Sequence, residues 1–247
     1  MGHAMDLELT GTKTLVTGGS RGLGREIVLA FARAGADVVT CCREHSESVE
    51  RLTRDLKEIG GDHHVVQADV SQSADVQRLA DECRARFGLL DTVVNNAGAI
   101  SHVPFAELSL DEWRRIVDTD LTSPFLVIQK VLPILAPEAS VITIGSRAAT
   151  EGVPLRAHYT AAKSGLIGLT RSLAKEFGPS GLRFNVVAPG PIETEYEAPA
   201  AVVDRYRQMI PLGRLGRGSE VAGVALFLAS PRSGFITGET VHVDGGI

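Results

Sequence analysis

The chain has 247 residues, enough for a large domain that buries its apolar surface without disulfides or metal. Its apolar share is 44% and its net charge −5, with 30 acidic and 25 basic side chains mixed along the chain, which excludes a disordered or fibrous chain and a basic nucleic-acid surface. No apolar run reaches the length of a transmembrane helix or a secretory core, and the three cysteines read as buried, reduced thiols of a cytoplasmic protein. The leading "MGHAM" carries a second methionine and reads as an added leader, so residues 1–6 are set aside and 7–247 are taken as one domain.

The first element is "TLVTGGSRGLG", Thr14 to Gly24: a β-branched strand, a glycine turn and a helix opening near Gly22. That order aims helical N–H groups and the positive end of the helix dipole at the turn, and glycines let a phosphate approach the backbone. The glycines fall at Gly18, Gly22 and Gly24, not in the G-x-G-x-x-G spacing, and on their own they leave a ligand-free βα turn as the alternative. The helix Arg25–Ala34 groups Ile27, Val28 and Phe31 before Gly35 closes it. The strand "DVVTCC" follows at Asp37. An NAD enzyme often ends this strand with a carboxylate for the ribose. Here Arg43 follows, and Arg21 lies inside the glycine turn. Both suit the 2′-phosphate of NADP(H), the alternative being two solvated surface arginines.

A helix Glu47–Ile59 ends at Gly60-Gly61, and the strand "HHVVQA" begins at His63. The helix Ser73–Phe87 lines Val76, Leu79, Ala80, Cys83 and Phe87 on one face. The strand "LLDTVVNN" runs into Asn95–Gly98, whose amides support neighbouring loops or a cofactor, or simply make a turn. Ser109, followed by Asp111 and Glu112, caps a longer helical pattern that extends to Leu135. Trp113 on it reads as core or interface.

"SVITIGS" ends at Ser146, at the strand end where open α/β sheets bind ligands. A hydroxyl there bonds a substrate oxygen or caps a helix. The helix Ala157–Phe177 carries Tyr159 and Lys163 at i and i+4. A shared face brings an ammonium to a phenol and favours its phenolate, as a general acid/base needs, although such pairs are also common on helix surfaces. After the strand "LRFNVVAP", residues 190–218 are irregular at both ends and helical between. This length marks a lid or binding loop, and Tyr196, Tyr206, Met209 and Ile210 beside Glu193, Glu195 and Arg205 suggest a mixed pocket. A helix Ser219–Ala229 and the strand "TVHV" complete the chain. Strands of consecutive apolar residues alternating with helices indicate a Rossmann-type, doubly wound α/β fold with a mainly parallel sheet. No histidine pair has metalloprotease spacing, so no metal is expected.

Taken together, Thr17-Gly18, Gly22 and Gly24, Asp69-Val70, Asn95-Asn96-Ala97-Gly98, Ser146, Tyr159 with Lys163, and Pro189-Gly190 with Thr194 stand in a characteristic order. From Leu7 to Gly246 the chain resembles the short-chain dehydrogenase/reductase family, most nearly its 3-oxoacyl-thioester (acyl-carrier-protein) reductases. The resemblance implies seven parallel strands flanked by helices on both faces, and a homotetramer. It implies that Gly18, Gly22 and Gly24 hold the pyrophosphate of NADP(H), with Ser20 and Leu23 also in the cofactor site, and that the 2′-phosphate would fall to Arg21 and Arg43. Asp69 and Val70 would lie by the adenine, with Asn96, Ala97 and Gly98 beside the cofactor. Pro189, Gly190 and Ile192 would also line the cofactor, Thr194 would reach the nicotinamide amide, and Lys163 would grip the nicotinamide ribose. Ser146 would orient the carbonyl and Tyr159 transfer the proton.

Asp120 stands where the family usually has Asn, and it joins the catalytic set; an ionised carboxylate accepts hydrogen bonds but cannot donate them. The expected activity is NADPH-dependent reduction of a ketone, free or carrier-bound, to a secondary alcohol, with no nucleic-acid or membrane partner. A basic docking face for an acidic carrier is thin: Lys130 is followed by "VLPILAPEAS", leaving Arg171 and Lys175 to contribute. The other function class is a non-catalytic dinucleotide-binding sensor or scaffold, against which the intact Ser146, Tyr159 and Lys163 argue.

Overall fold

Seven strands build one all-parallel sheet in the order β3-β2-β1-β4-β5-β6-β7, in a computed structural model that describes residues 7–193, 195 and 199–247. They are β1 (Lys13–Thr17), β2 (Asp37–Cys42), β3 (His64–Gln67), β4 (Leu90–Asn95), β5 (Leu135–Ile144), β6 (Arg183–Pro189) and β7 (Thr240–Val243). The helices are α1 (Gly22–Arg33), α2 (Glu47–Ile59), α3 (Ser73–Phe87), α4 (Leu110–Val117), α5 (Ser123–Val131), α6 (Ala148–Glu151), α7 (Ala157–Phe177), α8 (Ala200–Met209) and α9 (Gly218–Ala229).

Successive strand residues point to opposite faces, so runs of consecutive apolar residues fill two cores. Leu15, Val39, Val93, Val141 and Phe184 face Val76, Leu79 and Cys83 of α3, Val127 and Val131 of α5, and Ala174 of α7. On the opposite face, Val16, Val38, Val94, Ile142 and Val187 meet Ile27, Val28 and Phe31 of α1, Leu52 and Leu56 of α2, and Val221 and Leu228 of α9. The three cysteines are free and buried, and burial pushes the Cys41 and Cys83 thiols up to about 12. Strand order reverses between β1 and β4, which opens a crevice at their C-terminal ends.

The long helix expected from Ser109 to Leu135 is broken. After α4, residues Asp118–Thr122 form one wide turn, in which the Ser123 N–H bonds the Asp118 carbonyl five residues back. Pro124 is the reason: with no N–H it cannot bond the Asp120 carbonyl, and the Ser123 hydroxyl bonds the Thr119 carbonyl at 2.6 Å. Wide turns of this kind are frequent at functional sites. After α5 a short turn, Leu132–Ile134, leads directly into β5, which starts at Leu135 and is longer than its sequence pattern suggested.

Candidate active site

The crevice begins with a lashing between two strand ends. Thr17 Oγ1 accepts the N–H groups of Asn96 and Ala97, each at 3.0 Å. The Asn96 amide donates back to the carbonyls of Thr17 and Gly18 at 3.0 and 3.1 Å. The glycine turn packs against this knot. Gly18 has φ +69°, and a Cβ on Gly24 would lie 2.2 Å from the Gly18 carbonyl oxygen. Gly22, at φ +52°, opens α1 with nothing within 4 Å of where its Cβ would stand. The α1 N-terminus has no side-chain cap from Arg21, so its leading N–H groups face that opening. One of them, on Gly22, already donates to the Glu195 carboxylate at 3.4 Å. A backbone-lined opening that attracts an anion fits a dinucleotide pyrophosphate. Ser20 and Leu23 are half-buried on the same turn.

At the end of β2, the exposed Arg43 side chain pairs with the neighbouring Glu44 at 3.2 Å, while its carbonyl accepts from the Gln67 amide at 3.2 Å; an exposed pair of this kind does little to hold the guanidinium away from a phosphate. After β3, the Asp69 carboxylate accepts from the N–H and hydroxyl of Ser71 at 2.9 and 2.7 Å, and Val70 is buried beside it. At the end of β6, the Gly190 N–H bonds the Val243 carbonyl at 3.0 Å, and Ile192 bridges to Gly216. Thr194 and Tyr196 lie outside the described residues. Of the other lid residues, Ile210 is buried, packed by Gly245, while Met209 is exposed.

Lys163 is the hub of the other half. Its Nζ donates to the Ile144 carbonyl at 3.1 Å, lies 3.0 Å from Asp120 Oδ1, and stands 5.6 Å from the centroid of the Tyr159 ring. Ser146, two residues after Ile144, accepts the Ala148 N–H at 3.2 Å, which leaves its own hydrogen to donate. Asp120 is fully buried in the wide turn. It also accepts the Ala99 N–H at 3.2 Å, and a Cβ at Gly98 would come within 2.7 Å of its Oδ1, so glycine is what lets the carboxylate in. Burial pushes the Asp120 carboxyl above its ordinary range, against the pull of Lys163. Ser146, Tyr159, Lys163 and Asp120 thus sit after the C-terminal end of β5, on α7 and in the wide turn before α5.

The loop after β4 is tied across this centre. Ser101 donates its hydroxyl to Glu112 and lies 2.8 Å from Nε2 of the buried His158, beside Tyr159. Arg115 and Ser101 hold the Glu112 carboxyl down at about 2. His102 accepts from Arg156, and the Val103 N–H bonds the Leu155 carbonyl at 2.8 Å. Sequence reasoning named Thr17 as part of the glycine motif, Glu112 as an acid in the first turn of a helix and Glu195 as a lid residue, without the roles described here, and it did not single out Ser101, His102 or Arg156. Among the described residues no cluster of His, Cys, Asp and Glu suits a metal, and no helix is long and apolar enough to cross a membrane.

Residues 18–247 match the family model described as enoyl-(acyl carrier protein) reductase. The chain is 36% identical over 239 residues to the 3-oxoacyl-acyl-carrier-protein reductase FabG of Staphylococcus aureus (strain Mu50), covering 94% of this chain and 96% of the relative. Among solved structures it resembles the short-chain dehydrogenase/reductase of Serratia marcescens BCRC 10948, with a TM-score of 0.91, 34% identity, and 96% and 98% of the two chains covered. It is also similar to a blue fluorescent protein from a metagenomic library in complex with NADPH, with a TM-score of 0.92, 33% identity, and 96% and 98% coverage.

Proposed function

The chain belongs to the short-chain dehydrogenase/reductase family, and from that premise we propose that it reduces a ketone to a secondary alcohol at the expense of NADPH, with Tyr159 as proton donor. The observation that carries the reading is the buried Lys163, 5.6 Å from the Tyr159 ring centroid, behind the Ser146 strand end. NADPH in place of NADH is supported by Arg43, weakly engaged at the end of β2, and by the NADPH held in the similar metagenomic protein. Residues 7–247 act as one catalytic domain, with 190–218 as the substrate lid.

The bound dinucleotide supplies the hydride. The α1 N-terminus and its glycine turn would hold the pyrophosphate, in place of the Glu195 carboxylate, and Arg21 and Arg43 would hold the 2′-phosphate. Asp69 and Val70 would lie by the adenine, Asn96, Ala97 and Gly98 beside the cofactor, and Pro189, Gly190, Ile192 and Thr194 would line its site after β6. Ser146 donates its hydrogen to the substrate carbonyl oxygen. Tyr159 then gives its phenolic proton to that oxygen as it becomes an alkoxide. The Lys163 ammonium favours the phenolate left behind, so the transfer is not held back by charge separation. Asp120 holds Lys163 in position.

The substrate is a free ketone or a 3-oxoacyl thioester of the kind named for the Staphylococcus relative. The enzyme works in the cytoplasm as a homotetramer, and Phe105, Leu110 and Phe125, exposed by 77%, 60% and 44%, offer an apolar contact around α4 and α5. Loss of reduced-nicotinamide absorbance over a panel of ketones and 3-oxoacyl thioesters tests the activity. Tight NADPH binding with no turnover of any carbonyl would favour the non-catalytic reading instead.

A further inference from the structure

Arg156 occupies the N-cap position of α7, without a side-chain cap bond, three residues before Tyr159 on the helix that also carries Lys163. Its Nε donates to His102 Nε2 at 2.8 Å, and one of its terminal nitrogens donates to the same atom. A ring nitrogen that accepts two N–H groups carries no proton of its own. Partial burial and the Arg156 charge both hold His102 below its ordinary range, in keeping with a neutral acceptor. The guanidinium is therefore held in place without being neutralised.

Its neighbours are matched. Lys163 lies 3.0 Å from Asp120, Arg115 is 2.7 Å from Glu112, and Arg147 is 2.6 Å from Glu151. Among the described residues Arg156 has no carboxylate partner. Two of the five guanidinium N–H groups go to His102, and the remaining edge keeps paired donors of the kind that take a carboxylate side-on. The loop that carries His102 is fastened to Asp120 through Ala99 and to Leu155 through Val103. Arg156 is thereby held against the loop after β4, at the start of the helix that carries Tyr159 and Lys163.

We infer that Arg156 sets substrate specificity by binding a carboxylate of the ketone, so that the substrate is an oxo acid with its acid group a few bonds from the reducible carbonyl. This rests on the ketoreductase reading above. Three residues of helix rise by about 4.5 Å, which limits how far the acid group lies from the carbonyl at Tyr159. A single unmatched cation suits a monoanionic carboxylate better than a phosphoryl dianion.

The test is kcat/KM with NADPH for 4-oxo and 5-oxo acids, their methyl esters and a simple neutral ketone, in the parent enzyme and in Arg156→Gln and Arg156→Lys. The parent should prefer an acid to its ester by about tenfold or more. Arg156→Gln should lose roughly ten- to a hundredfold on the acid, mainly through KM, and stay within about threefold on the ester. Arg156→Lys should recover part of the loss. Retained ester turnover shows that the variant is folded and its proton-transfer centre intact. Equal use of acid and ester by the parent, or equal losses on both in Arg156→Gln, overturns the inference and leaves the ketoreductase reading standing. Failure of the parent to reduce any ketone defeats both.

Discussion

The two halves of the crevice are made of different materials. At the ends of β1, β2 and β4 the site is mostly backbone: glycines at Gly18, Gly22 and Gly24, helical N–H groups, and the Thr17–Asn96 lashing. At the end of β5 and over α7 it is charged side chains in pairs, Lys163 with Asp120 and Arg115 with Glu112. A backbone cradle recognises what all dinucleotides share and tolerates little change of shape. A side-chain cluster holds each residue through its neighbours, so one substitution retunes the chemistry and leaves the fold standing.

If that contrast holds, the largest loss of rate comes from the side-chain half with the fold intact. Tyr159→Phe removes one hydroxyl and almost no volume. Turnover should fall by about two to four decades while NADPH still binds, as measured by fluorescence titration. Near-parental turnover would mean that another group donates the proton.

The backbone half should fail the other way, in binding and stability together. In Gly24→Ala the new methyl carbon would sit 2.2 Å from the Gly18 oxygen and 2.4 Å from the Asn96 amide nitrogen, so the turn must open. We expect a destabilisation of about 1–3 kcal/mol, seen as a lower Tm, with NADPH affinity reduced tenfold or more. Gly223→Ala is the control, because nothing lies within 4 Å of its Cβ position in the middle of α9. It should stabilise by about 0.5–1 kcal/mol. A Gly24→Ala enzyme with parental Tm and affinity would show that the cradle is looser than its contacts imply.

Arg43 tests the boundary between the halves, a side chain proposed to serve the nucleotide. Its exposed pair with Glu44 contributes little, so Arg43→Ala should leave stability unchanged. It should cut kcat/KM for NADPH by about tenfold and leave NADH nearly unaffected. A parent enzyme equally efficient with both cofactors would remove Arg43 from the site.

The same contrast explains what the sequence disclosed. The sheet was legible because consecutive apolar pairs such as Leu15-Val16 and Val93-Val94 fill both faces, and the cradle because glycine spacing is local. The break at Asp118–Thr122 was hidden by an unbroken helical pattern: Ser123 and Pro124 act on backbone hydrogen bonds, not on apolar periodicity. Ser101, Glu112 and His158 meet across separations of up to 57 residues, and no local pattern announces such a contact. The Asp120–Lys163 pairing was foreseeable only from the family resemblance, and its closeness only from the fold.

That pair gives the smallest predicted effect and the finest test of the contrast. With Asp120 ionised 3.0 Å from Lys163, part of the ammonium's field is cancelled before it reaches Tyr159. Asp120→Asn removes the opposing charge but retains an oxygen for Lys163 and for the Ala99 N–H. Activity should stay within roughly tenfold, and the alkaline limb of kcat/KM should move to lower pH. Because burial raises the Asp120 carboxyl above its ordinary range, the parent's carboxylate loses its charge early as pH falls. Below that point the parent carries a neutral side chain there, as the Asn variant does at every pH. The two profiles should therefore converge on the acid side and separate on the alkaline side. Profiles that superimpose throughout, or an alkaline limb displaced upward in Asp120→Asn, would show that the carboxylate does not act on Tyr159 through Lys163.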